Sequence, residues 1–156
     1  MRTDAGPADL RPVLVVEDSD DDFDTVVVAA ARTRRHNRLV RAANADAAWQ
    51  LLTLNPADAF AFMLLDYNLP GLDGLALLDQ VRHGGLLARL PVVVFTTSVN
   101  PRDRDAFSQA GASAFHVKSV RHSDCLDTLE SIFDQWLKAG APPATAALSE
   151  AARRSA

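Results

Sequence analysis

Apolar residues along the chain gather into short dense runs rather than long stretches. Five such runs, rich in Val, Leu and Phe, lie at about 13–17, 39–43, 61–65, 92–96 and 114–117. Runs of that length, bounded by turn residues, suit strands buried on both faces. Between them the apolar spacing becomes helical, over roughly 22–35, 45–54, 74–83, 102–110 and 123–138. Strand and helix alternate five times, which predicts an α/β domain built on a parallel sheet covered by helices on both sides.

Local chemistry marks the boundaries. Asn44 suits the cap of the second helix, Pro70-Gly71 and Asp73-Gly74 open the third, and Gly111 closes the fourth. Asp20, Asp21 and Asp22 are expected to charge the first turn of the first helix, where the dipole favours them, rather than to bind metal. Residues 1–11 and the Ala- and Pro-rich stretch 139–156 lack sustained periodicity and are expected to be flexible, leaving one domain over 12–138.

Composition narrows the function classes. With 48% hydrophobic residues in 156, the chain can bury a sizeable core, and a second domain has no room. A formal charge of −4 argues against a nucleic-acid or anionic-membrane partner, whose electrostatic footprint is basic. No apolar stretch approaches the roughly 20 residues of a membrane span and the first residues lack the apolar core of a signal peptide, so a cytoplasmic location is expected. Cys125 is the only cysteine, which excludes an intramolecular disulfide and a thiolate zinc site. Trp49 reads as core, and His36, His83, His116 and His122 show no ligand spacing.

The chemistry collects at strand ends: Glu17 and Asp18 after the first strand, Asp66 after the third, Thr96 or Thr97 after the fourth and Lys118 after the fifth. In a flavodoxin-like doubly wound sheet of order 2-1-3-4-5, the first and third strands are neighbours at the point where winding reverses, so the acids meet in one crevice. Converging carboxylates repel unless a cation joins them. A hard cation such as Mg²⁺ would take oxygens from Asp18, Asp66 and a backbone carbonyl. Lys118 stands out because the chain uses 14 Arg and only two Lys. A compact ammonium can neutralise a carboxylate oxygen and move with an incoming anion, where a planar guanidinium demands fork geometry. The Thr96 hydroxyl suits either an anion oxygen or a strand-end backbone group.

Val13 to Asp18, Leu64 to Gly74, Pro91 to Thr97 and Gly111 to Lys118, four segments in order with each functional group at a strand's carboxyl end, together resemble the receiver domain of bacterial two-component response regulators. The resemblance covers about 12–138. It implies that Asp66 is the phosphoacceptor, that Asp18 and Glu17 are the acidic metal-binding pair with the backbone carbonyl of Asn68 as a further ligand, and that Thr96 and Lys118 contact phosphoryl oxygens. It further implies Mg²⁺ as cofactor, a sensor histidine kinase as phosphoryl donor, and Phe115 as an aromatic switch that follows Thr96; an ordinary core Phe is the other reading of that residue. Within the family, Asp66-Tyr67-Asn68-Leu69-Pro70-Gly71, Val92 to Ser98 and Trp136-Leu137 are similar to stand-alone receivers that serve phytochrome-type histidine kinases.

Three departures stand out. Ser119 occupies the place where receivers usually carry a proline after the lysine, so a trans bond and a differently shaped loop are expected. Glu17 replaces the commoner aspartate and reaches one methylene further. Thr97 is bulkier than the usual small residue. With no output domain, the signal is expected to leave through a surface toward an unidentified downstream protein. The last helix carries an apolar arc of about 140°, wider than one core-facing stripe, so Ile132, Phe133 and Trp136 are expected as anchors of a homodimer.

Other readings remain open at this point. A Mg-dependent phosphohydrolase that forms its own aspartyl phosphate would want a second carboxylate two residues after the nucleophile, where Asn68 stands. A flavin binder would want small residues and backbone donors where the loop is Glu17-Asp18-Ser19-Asp20. A receiver that no longer takes phosphate and serves only as a binding module keeps the same residues.

Overall fold

The computed structural model describes residues 9–66 and 74–138. Five strands, β1 (Val13–Val16), β2 (Leu39–Ala42), β3 (Met63–Leu65), β4 (Val92–Thr96) and β5 (Ala114–Val117), alternate with α1 (Asp20–Arg32), α2 (Ala45–Leu54), α3 (Gly74–Arg82), α4 (Pro101–Ala110) and α5 (His122–Leu137). The sheet is parallel throughout, in the order β2-β1-β3-β4-β5, which is the flavodoxin-like doubly wound arrangement.

Position in the sheet explains the strand sequences. The three central strands are buried at every residue, whereas β2 and β5 lie at the edges and are buried only in part. Alternate side chains enter two separate cores. Leu14, Val16, Met63, Leu65, Val92, Val94 and Phe115 pack with α2, α3 and α4 on one face. Val13, Val15, Leu64, Val93, Phe95 and Ala114 pack with α1 and α5 on the other. The period-2 alternation is thus present, but it sorts one apolar residue from the next rather than apolar from polar.

Short-range chemistry sets the helix ends. Ser19 accepts a hydrogen bond from the Asp22 backbone N–H at 3.2 Å, and that cap starts α1 at Asp20, two residues ahead of the apolar spacing. The three aspartates therefore occupy its first turn, as expected. Asn44 caps α2 through the Ala47 N–H at 2.8 Å, and Asn100 caps α4 with Pro101 at the first helical position. Gly111 ends α4 at φ 101°, where a Cβ would also lie 2.9 Å from the Arg82 side chain. The Pro70-Gly71 turn lies outside the described residues.

Two features depart from expectation. Residues Gly85–Arg89 form a short 3-10 helix that apolar spacing does not announce. On α5, Leu126, Leu129, Ile132, Phe133, Trp136 and Leu137 are all buried in the chain's own core, and the Phe133 ring stands 6.0 Å from that of Phe62. The wide apolar arc is consumed by α1 and the sheet, so Ile132, Phe133 and Trp136 are not available as dimer anchors. The end of the leading segment is tied down: the Asp9 backbone N–H donates to the Leu137 carbonyl at 3.3 Å, and Arg11 pairs with Asp9 at 2.8 Å. Trp49 is half-buried against the core. Among the described residues, no helix is long and apolar enough to cross a membrane.

Candidate functional site

Register brings the site together. Val16 pairs with Leu65 in adjacent parallel strands, so the residues that follow them, Glu17 and Asp66, emerge side by side at the carboxyl edge of the sheet. Their backbones are fixed there: the Asp66 N–H donates to the Val16 carbonyl at 3.1 Å and the Glu17 N–H to the Ala42 carbonyl at 3.0 Å. Lys118 arrives from the end of β5, its own N–H bonded to the Thr96 carbonyl at 2.6 Å. Both acids are buried, Glu17 at 3% and Asp66 at 7% exposure.

The Lys118 ammonium reaches three carboxylates, Asp66 Oδ2 at 2.9 Å, Asp22 Oδ2 at 3.1 Å and Glu17 Oε1 at 3.2 Å. It also lies 5.6 Å from the centre of the Phe95 ring. Oxygens of Glu17, Asp22 and Asp66 all fall within 4.8 Å of one another. Burial, then the neighbouring Asp66 carboxylate, pushes Glu17 up to about 8, with Lys118 and the Ser19 N–H opposing. For Lys118, burial alone would lower the ammonium, but the charge and hydrogen bond of Asp66, followed by Glu17 and Asp22, hold it above its ordinary value. The pocket therefore carries more negative charge than one lysine neutralises. That excess, on hard oxygen donors, suits a divalent cation such as Mg²⁺.

The other expected residues fall as follows. Asp18 is exposed at the start of the loop after β1, and its carboxylate is not one of the three that converge. Thr96 is fully buried at the end of β4, where its hydroxyl oxygen accepts the Ser98 N–H at 3.2 Å. Thr97 is exposed beside it. Ser98 bonds in turn to Asp103 and accepts the Asn100 N–H, which folds the loop leading into α4. Phe115 is buried, 5.9 Å from the Phe107 ring, with the Arg104 guanidinium 5.8 Å above its own ring. Asn68 lies outside the described residues. The Lys118–Ser119 bond is trans, and local bonds shape the loop after it: Ser119 accepts the Arg121 N–H at 3.1 Å through its hydroxyl and the Cys125 thiol at 3.1 Å through its carbonyl.

Sequence reasoning missed two residues. Asp22 sits in the first turn of α1 as foreseen, yet it also meets Lys118 across 96 residues of chain. The signal was available in the helix phase, because three residues past a cap returns a side chain toward the strand it follows. Arg41 donates through Nε to the Glu17 carbonyl at 2.9 Å and through Nη1 to Asp20 at 2.7 Å, with its guanidinium 5.2 Å from the Phe23 ring centre. It latches the loop that carries Glu17 and Asp18. A lone arginine inside the otherwise apolar run Leu39-Val40-Arg41-Ala42 is the cue that could have found it.

Comparison with known proteins identifies the family. Residues 13–130 match the response regulator receiver domain, and the chain belongs to that family. It is 31% identical over 112 residues to the two-component response regulator ORR6 of Oryza sativa, covering 72% of this chain and 65% of that relative, so it spans just under two thirds of ORR6. Among solved structures it is similar to the phosphorylated cyanobacterial phytochrome response regulator RcpA, with TM-score 0.75, 27% identity, and coverage of 81% of this chain and 93% of that one. It is equally similar to the Mn²⁺-bound response regulator Rcp1, with TM-score 0.75, 29% identity, and coverage of 81% and 94%.

Proposed function

We propose that this receiver accepts a phosphoryl group on Asp66 from a phosphohistidine of a sensor histidine kinase. The carrying observation is the contact of Lys118 with Asp66 at 2.9 Å inside a buried, net-negative pocket. An Asp66 oxygen attacks phosphorus in line as the phosphorus–nitrogen bond breaks, and the electron pair of that bond returns to the imidazole. Lys118 offsets the charge gathering on the transferring oxygens. Asp66 and Glu17, whose oxygens already converge, would hold Mg²⁺ together with the Asn68 backbone carbonyl and with Asp18, whose exposed carboxylate would join them from the loop after β1; the ion supplies further charge neutralisation when bound. Glu17, one methylene longer than aspartate, suits contact through water.

After transfer, a phosphoryl oxygen can accept the Thr96 hydroxyl proton and draw that side chain inward, away from the Ser98 N–H that donates to its oxygen. Movement of Thr96 opens space against the core face where Phe115 lies, which suits Phe115 to follow it and change the surface around α4 and β5. The domain then acts as a phosphoacceptor with self-catalysed transfer and loss rather than as an enzyme on other substrates, and signals in the cytoplasm by contact with a downstream protein. The likeness to RcpA and Rcp1 supports a phytochrome-type kinase as donor.

Acetyl phosphate with Mg²⁺ should label the protein with an acid-labile, hydroxylamine-sensitive group, and Asp66→Asn should remove the label. Unchanged labelling of that variant would overturn the assignment, and no labelling of the wild type would favour a phosphate-independent binding module. Transfer from a photoreceptor kinase that differs between light and dark would identify the donor class; equal failure in both would remove the phytochrome link.

A further inference from the structure

We propose that Asp22 is a positioning residue that competes with the phosphoryl group for Lys118 and so sets the rate at which Asp66 is phosphorylated; this rests on the phosphoacceptor role of Asp66. An ammonium has three protons, and Lys118 Nζ has a carboxylate oxygen within 3.2 Å for each: Glu17, Asp22 and Asp66. Every donor is engaged, so a phosphoryl oxygen that needs Lys118 must take a proton already held by a carboxylate. Glu17 and Asp66 have side chains at 4% and 8% exposure, whereas that of Asp22 is 51% exposed. Water can replace the lysine at Asp22 alone, which makes this contact the one released at least cost.

Placement of Asp22 is not accidental to the helix. The Ser19 hydroxyl accepts the Asp22 N–H and fixes the first turn of α1, and Arg41 holds Asp20 on the far side of that turn, so Asp22 faces β5 rather than solvent on all sides. The choice of lysine agrees. Three acceptors arriving from three elements suit a tetrahedral ammonium and not a planar guanidinium, and across the whole chain arginine outnumbers lysine 14 to two.

The test is a double-mutant cycle on the labelling rate at saturating acetyl phosphate and Mg²⁺. Asp22→Asn should raise that rate roughly three- to fivefold, the scale of one partly exposed ion pair. In a Lys118→Ala background, followed for as long as its slower labelling requires, the same substitution should change nothing. The Mg²⁺ concentration for half-maximal labelling should stay as in the wild type. With only Lys118 and Lys138 in the chain, nitrogen-labelled lysine gives a second reading: Asp22→Asn should move the Lys118 ammonium resonance and leave that of Lys138 in place. An unchanged rate, an equal gain without Lys118, an unmoved Lys118 resonance or a weakened Mg²⁺ response would each overturn the proposal, the second pointing to bulk repulsion of the donor and the last to Asp22 as a metal ligand. Failure of the wild type to label at all would instead bring down the phosphoacceptor reading beneath it.

Discussion

Two half-buried cations sit at different places in this fold and keep opposite company. Arg82, at the end of α3, donates to the carbonyls of Leu90 at 2.6 Å, Gly111 at 2.8 Å and Ala88 at 3.3 Å, and to the Ser113 hydroxyl at 3.4 Å. All four acceptors are neutral, and burial pulls its guanidinium below the ordinary value. Lys118 meets three carboxylates and is held above its ordinary value. A flat fork with neutral acceptors closes a loop through geometry, with four of its five N–H groups engaged. A point charge among too many anions leaves charge over, and the surplus is what allows ligand chemistry.

Exchanging or deleting these cations should separate the two roles. Lys118→Ala is expected to slow phosphoryl labelling about a hundredfold or more, since it deletes a donor aimed at developing charge; quenched-flow labelling would measure this, and a loss below fivefold would deny Lys118 its role. Arg82→Ala should cost about 2–4 kcal/mol in urea unfolding, because three carbonyls and a hydroxyl lose their donor together, while the folded fraction still labels at the wild-type rate. Arg82→Lys should recover only part of that stability, as one ammonium cannot span acceptors spread over the 3-10 helix, the residue that ends it, the end of α4 and the residue ahead of β5. Full recovery would mean that charge rather than fork geometry matters there.

A third buried nitrogen gives the smallest effect. His116 Nε2 is buried without a hydrogen-bond partner, and burial, then the charge of Arg104, lowers its pKa from 6.5. The folded state therefore resists the proton that the unfolded chain accepts. Stability from this group is complete above the unfolded pKa and is lost as pH falls through that value toward the folded one. Glu17, raised by burial, titrates in the opposite sense over the same range, so the effect is read as a difference: relative to His116→Phe, the wild type should lose urea stability as pH falls from 7.5 to 5. An identical profile for the variant would place the acid sensitivity elsewhere.

The difference between Lys118 and Arg82 also marks what the sequence could reveal. Lys118, Glu17 and Asp66 were legible because each ends an apolar run, and in a parallel sheet the end of a buried strand has one place to go. Arg82 was not, because its partners are backbone carbonyls, which carry no residue identity. Asp22 was half legible: its place in the first turn followed from the cap, but its meeting with Lys118 depends on how α1 is rotated over the sheet. The α5 stripe misled in the opposite direction. Its width looked surplus until the opposing surface, Val13, Val15, Phe62 and Leu64, proved broad enough to take it all.

The central claim is that Asp66 is the group on which phosphorus arrives. Peptide mapping by mass spectrometry after treatment with acetyl phosphate and Mg²⁺ measures this directly. One phosphoryl group on the peptide containing Asp66, lost on hydroxylamine treatment, is the predicted result; a stable modification on another residue, or an unmodified chain under conditions that label an authentic receiver, would contradict it.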